Sequence, residues 1–142
     1  MQLFIKYHVK DIEKIQQKKG SDWIDLRAAE TVIMKTGENH LISLGISIKL
    51  PDNYDAHVVP RSSTFKTWGI LQTNHFGVID SSYSGENDIW RFPAYATRDC
   101  IVVKGDRICQ FRIAEKQPEI EFLEVEYMTD ASRGGFGSTG IK

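Results

Sequence analysis

The chain reads as an all-β protein, a compact jelly roll or barrel with one short helix. Three observations predict this. Apolar runs are short and rich in β-branched or aromatic residues, turn residues interrupt them at brief intervals, and almost nothing repeats at helical spacing. Many short strands so punctuated favour a closed or double-sheet β architecture over alternating strands and helices.

Each element follows in chain order. Residues 3–7 form an apolar opening strand. Residues 11–19 are polar, with Ile12 and Ile15 three apart, and predict no more than a surface turn or two. Residues 41–50 alternate through Ile42, Leu44, Ile46, Ile48 and Leu50 and predict one long strand. Further strands are expected over 56–59, 89–95, 101–103 and 108–113. Residues 120–127 add a period-2 segment, with Ile120, Phe122, Leu123 and Val125 set among glutamates. Residues 62–68 follow Pro60 and predict the one short helix, capped by Ser62 or Ser63. From Thr129 the composition turns small and Gly-rich, so residues 1–128 read as one body and 129–142 as a flexible arm.

Composition narrows the function. At 142 residues the chain suffices for one domain with its own core. A formal net charge of −1 lacks the basic excess that bulk nucleic-acid or membrane binding uses, yet a few placed arginines could still hold a small polyanion. No apolar run approaches membrane-spanning length and the first residues lack a signal-peptide layout, which predicts a cytoplasmic protein. Cys100 and Cys109 lie in apolar runs without a CxxC pair and read as reduced, mostly buried thiols. The histidines at 8, 40, 57 and 75 form no metal-binding pair.

Singly, the remaining patterns are ordinary. Asp80 after an apolar triplet suits a turn, Gly105-Asp106-Arg107 suits a hairpin, and Pro60-Arg61-Ser62-Ser63 suits a helix start. The glycines of 134–140 could turn backbone N–H groups on an anion, but the lysine of a P-loop is absent. Taken together and in this order, they resemble the five motifs of the trimeric dUTP diphosphatase family. The first spans residues 21–26 and keeps Asp25-Leu26. The second is Pro60-Arg61-Ser62, and the third is Gly77-Val78-Ile79-Asp80 with Asn74 before it and Tyr83 and Gly85 after. Residues 105–110 and 134–140 match the fourth and fifth.

The resemblance implies a homotrimer that splits dUTP into dUMP and diphosphate, limiting uracil in DNA and supplying dUMP for dTMP synthesis. Asp80 would be the general base for in-line water attack at the α-phosphorus. The hairpin residues Gly77, Val78, Ile79 and Asp80 would read uracil with the Asn74 side chain, and Tyr83 would exclude a 2′-hydroxyl. Arg61, Ser62 and Gln110 would contact the phosphates, with Ser63 beside them. Mg²⁺ would be held mainly by those phosphates, with Asp25 in its outer shell through water. Phe136 would stack on the base as the arm closes over a neighbour's site, with Gly137, Ser138 and Thr139 on the β- and γ-phosphates.

The chain departs from the family pattern in places. Asp22-Trp23-Ile24 replaces Ala-Gly-Tyr, and Ser63 stands where relatives carry Gly. Ala131 holds the usual place of the fifth-motif Arg, which makes Arg133 the candidate for the γ-phosphate. Residues 86–90 are more polar than the pattern. Two other readings remain open: a dCTP deaminase relative, whose catalytic Glu would fall at Trp90, and a nucleotide-binding regulatory trimer.

Overall fold

A computed structural model describes all 142 residues. Eleven strands and one helix follow one another: β1 (Phe4–Tyr7), β2 (Ile24–Arg27), β3 (Val32–Met34), β4 (Asn39–Ser43), β5 (Ile46–Lys49), β6 (Tyr54–Pro60), α1 (Thr64–Trp68), β7 (Ile70–Gln72), β8 (Gly77–Ile79), β9 (Arg91–Ala96), β10 (Cys100–Val102) and β11 (Arg107–Glu115). Every pairing is antiparallel. The principal sheet runs β2-β11-β6-β8, a second runs β4-β9-β7, and β1-β5 and β3-β10 form two-stranded ribbons. The expected all-β jelly roll with one helix is the fold observed.

Alternation along the strands explains the core. Leu26, Ala56, Val58, Ile108, Phe111, Phe92 and Ala94 point inward in one continuous apolar cluster. Trp90 meets Phe111 edge-on with ring centroids 5.1 Å apart, joining the β9 side to the principal sheet.

Several expectations need correction. Residues 41–50 are two strands, β4 and β5, which lie in different sheets. Gly45 makes the break. Its φ is +65°, and a Cβ there would come within 2.6 Å of the Ala29 Cβ, so the backbone turns where only glycine fits. The period-2 segment at 120–127 forms no strand. Its pattern suits pairing, but it meets no sheet edge of its own chain, and Phe122 stays 90% exposed. The helix forms with Ser63 at its N-cap, yet no side chain caps it. Instead the buried Thr64 hydroxyl accepts from the Arg61 N–H and donates to the Ile108 carbonyl, tying the helix start to β11. Residues 11–19 hold no helical turn and cross the surface, anchored where the Ile15 N–H donates to the Tyr7 hydroxyl. The hairpin expected at residues 77–80 does not form: β8 pairs with β6 while β7 pairs with β9, so the two consecutive strands lie in different sheets. Strands β2, β3 and β7 are not among the expected strands. Each is short, and β2 interleaves its apolar residues with polar ones.

Both cysteines are free. Cys109 is fully buried, and burial pushes its thiol well above the usual range; the Asp25 carboxylate adds to this and Arg61 opposes it. Cys100 is only half-buried, and desolvation raises its thiol too.

Candidate active site

Two clusters of polar residues form along the principal sheet. The first is a cavity of about 330 Å³ between strand β8, the loop that leads to it from β7, and the start of β9. Gly77, Val78, Ile79 and Asp80 line one side, with Asn74 and Tyr83 beside them. Strand β8 lies against β6 with Gly77 opposite Val58 and Ile79 opposite Ala56. Gly77 has no space for a side chain, since a Cβ would stand 3.0 Å from Gln72 Nε2 and 3.1 Å from the Val58 carbonyl oxygen. The loop between β7 and β8 turns through His75, whose φ of +59° is unusual for a residue with a side chain. Asp80, just past β8, is exposed at the cavity edge, as are Asn74 and Val78.

The polar stretch at 86–90 now has a structural account. Ser47, buried in β5, donates to the Asp88 carbonyl, and its hydroxyl also meets His8 Nε2 at 2.8 Å. Lys6 pairs with Glu86, and the Asp88 carboxylate accepts from the Gly85 N–H. The Tyr83 hydroxyl donates to the Ile89 carbonyl at 3.1 Å. The segment is a strap tied to β1 and β5 that holds Tyr83 at the cavity.

The second cluster is built on the register of β2, β11 and β6, which sets Gln110 opposite both Asp25 and Val59. Asp25 receives Arg61 Nε at 2.9 Å on one oxygen and Arg107 Nη1 at 3.0 Å on the other. Arg61 also donates to the Arg107 carbonyl, and Gln110 Nε2 donates to the Pro60 carbonyl. One carboxylate thus aligns two guanidinium groups and leaves the trio a net positive charge, an arrangement suited to an anion. Arg107 was absent from the expected phosphate contacts; its place in the Gly-Asp-Arg turn was the signal. Ser62 is exposed and Ser63 half-buried at the helix start beside this cluster.

No three His, Cys, Asp or Glu side chains converge as a ligand set for a metal. Asp25 spends one bond of each oxygen on arginine, but a carboxylate has about four lone-pair positions, and its side chain is 25% exposed. That fits a water-mediated contact to an ion brought by a polyphosphate better than direct coordination.

The arm stands apart. After the Lys116 N–H reaches the Asn53 carbonyl, the only further backbone hydrogen bonds are local turns within 135–140. Arg133, Gly137, Ser138 and Thr139 are exposed, and Phe136 is wholly in solvent. The structure therefore gathers Asn74, Gly77, Val78, Ile79, Asp80 and Tyr83 in one place and Asp25, Arg61 and Gln110 in another. It does not bring the arm to either.

Comparison with known proteins places the chain in a family. The sequence profile of the dUTPase family matches residues 13–140. The SPbeta prophage-derived deoxyuridine 5'-triphosphate nucleotidohydrolase YosS of Bacillus subtilis is 54% identical over 142 residues, covering 100% of both chains. Among solved structures, the dUTPase of Staphylococcus bacteriophage 80alpha, determined with dUpNHpp, aligns with a TM-score of 0.82 at 20% identity over 99% of each chain. The dUTPase of phage phi11 of S. aureus, described with a structural Mg(II) ion, aligns with a TM-score of 0.76 at 17% identity, covering 89% of this chain and 99% of that one. A full-length relative at such identity and a family profile spanning most of the chain leave one conclusion: this protein belongs to the dUTPase family.

Proposed function

We propose that the protein hydrolyses dUTP to dUMP and diphosphate, with uracil in the cavity beside β8 and Asp80 as general base. The observation that carries this is the cavity itself, which Asp80, Asn74 and Tyr83 line together with the close-packed strand β8. Backbone groups of residues 77–80 distinguish uracil from cytosine because the donor and acceptor at ring positions 3 and 4 are interchanged. Tyr83, fixed through its bond to Ile89, would lie against the deoxyribose and exclude a 2′-hydroxyl.

In the reaction, Asp80 takes a proton from a water molecule as its oxygen attacks the α-phosphorus in line. The bond from that phosphorus to the α,β-bridging oxygen breaks, and diphosphate leaves. Arg61, with Ser62, Ser63 and Gln110 near it, binds the phosphates and offsets their charge. Asp25 holds Arg61 and Arg107 in place and is the residue that would contact Mg²⁺ through water. When bound, the ion would neutralise part of the triphosphate's charge.

The separation of the two clusters and the unattached arm support a homotrimer with shared sites. One chain would give the β8 cavity, another the Arg61 cluster, and a third the arm, with Arg133, Phe136, Gly137, Ser138 and Thr139 closing on the nucleotide. The exposed apolar side chains at 120–128 add surface that an assembly would cover. The deaminase reading is disfavoured by Trp90, an indole only 1% exposed in the place of the required carboxylate.

Substituting Asp80→Asn keeps the shape but removes the proton acceptor. Turnover should vanish while binding of a non-hydrolysable dUTP analogue persists. Near-normal hydrolysis by this variant would sink the assignment.

A further inference from the structure

We propose that Gln72 is a positioning residue for base recognition, tying the end of β7 to β6 where β8 lines the cavity. This rests on the reading of that cavity as the uracil site. Gln72 ends β7 and is only 4% exposed, an unusual position for a long polar side chain. Its Nε2 donates to the Val58 carbonyl at 3.0 Å. A carbonyl can only accept, so the amide's orientation is set by chemistry. Val58 is the strand partner of Gly77, and Gly77 lies so close to the Gln72 amide that a Cβ would touch it at 3.0 Å. The Gln72 backbone carbonyl in turn accepts from the His75 N–H and closes the turn that carries Asn74. One residue therefore brackets the loop on both sides. Its side chain ties β7 to β6 at the residue paired with Gly77, and its main chain closes the turn.

The remaining amide oxygen supports a functional reason for this polar residue. Gln72 Oε1 is buried without a hydrogen-bond partner, and so is Trp90 Nε1. Both residues line the cavity. A buried polar atom left unpaired is costly, and an apolar side chain could have filled the same space. An acceptor and a donor in the wall of one pocket are the groups through which a bound base or its attendant water would complete the set. Because Gln72 acts through Val58 and Gly77, its loss should fall on nucleotide affinity and base choice more than on the chemical step.

The test compares the full-length wild type with Gln72→Leu and Gln72→Glu, using a non-hydrolysable dUTP analogue for binding and dUTP and dCTP for kinetics. Gln72→Leu removes the donor at every pH and should weaken analogue binding about tenfold, the worth of one buried hydrogen bond. KM for dUTP should rise more than kcat falls, and the preference for dUTP over dCTP should narrow. Gln72→Glu sets a carboxylate against the Val58 carbonyl at neutral pH, where its binding should be worst. On acidification the protonated acid can donate as the amide does, so its deficit relative to wild type should shrink. Gly77→Ala should also weaken binding, and adding Gln72→Ser should restore part of the loss by vacating the space that the new methyl meets.

Melting curves identify any variant that fails to fold. Wild-type affinity and selectivity in folded Gln72→Leu would overturn the proposal, as would a pH-independent deficit in Gln72→Glu. Strict additivity of Gly77→Ala and Gln72→Ser in the folded variants would overturn it as well. If instead the wild type binds no dUTP analogue, the assignment of the cavity fails before Gln72 is tested.

Discussion

Replacing Asp25 by Asn tests the charge cluster, because one carboxylate holds both Arg61 and Arg107. Each contact is a charge-assisted hydrogen bond, at 2.9 Å and 3.0 Å, between side chains that are 25–37% exposed. Hydrogen bonds to charged groups contribute about 1.5–3 kcal/mol, and partial exposure places these near the lower end. Asn still offers one neutral acceptor, which recovers about 1 kcal/mol, while the two guanidinium groups then face each other without a counter-charge. The net cost comes to about 2 kcal/mol, equivalent to a Tm lower by roughly 4–8 °C for a chain of this length. Melting at fixed protein concentration, in low and high salt, reads it, and salt should shrink the difference because part of the interaction is screened. In the kinetic assay the freed Arg61 should grip the triphosphate less well, so KM for dUTP and the Mg²⁺ concentration needed for half-maximal rate should both rise. An unchanged Tm together with an unchanged Mg²⁺ requirement would refute both roles given to Asp25.

Tyr83→Ala should open space beside the 2′ carbon, so UTP hydrolysis rises relative to dUTP; a fixed ratio would leave Tyr83 a packing residue. Truncation after Asp130 should leave a folded protein that still binds the dUTP analogue weakly while turnover falls by orders of magnitude. Limited proteolysis should cut the arm in the free enzyme and spare it with the dUTP analogue bound; equal cleavage would count against closure. Sedimentation should find a trimer, and adding Asp at both Phe122 and Leu123 should weaken it, whereas a monomeric wild type would exclude shared sites.

The architecture was legible where alternation is strong and a turn follows. Strands β6 and β9 carry inward residues at every second position, as β11 does from Cys109 on, and their existence could be read from the chain. The break at Gly45 could not, because it depends on the approach of Ala29, a contact distant in sequence. The segment at 120–127 shows the opposite failure. Its period is right, but a strand also needs an edge, and periodicity says nothing about where that edge lies. At the site, Asn74, residues 77–80 and Tyr83, and Asp25, Arg61 and Gln110, were all named from their motifs, and the structure groups them as two clusters. Arg107 stood in a motif without a role until geometry gave it one, and Gln72 emerged only from geometry. Arg107 shares an acceptor with Arg61 across sheet register, and Gln72 looks like any polar strand-end residue until Val58 and Gly77 are placed around it.

The most direct measurement is diphosphate release from a panel of deoxynucleoside and nucleoside triphosphates, with and without Mg²⁺, with ammonia followed in parallel. The account predicts rapid release from dUTP that Mg²⁺ strengthens, little from dCTP, dTTP or UTP, and no ammonia. Ammonia from dCTP, or comparable diphosphate release across the panel, would contradict it.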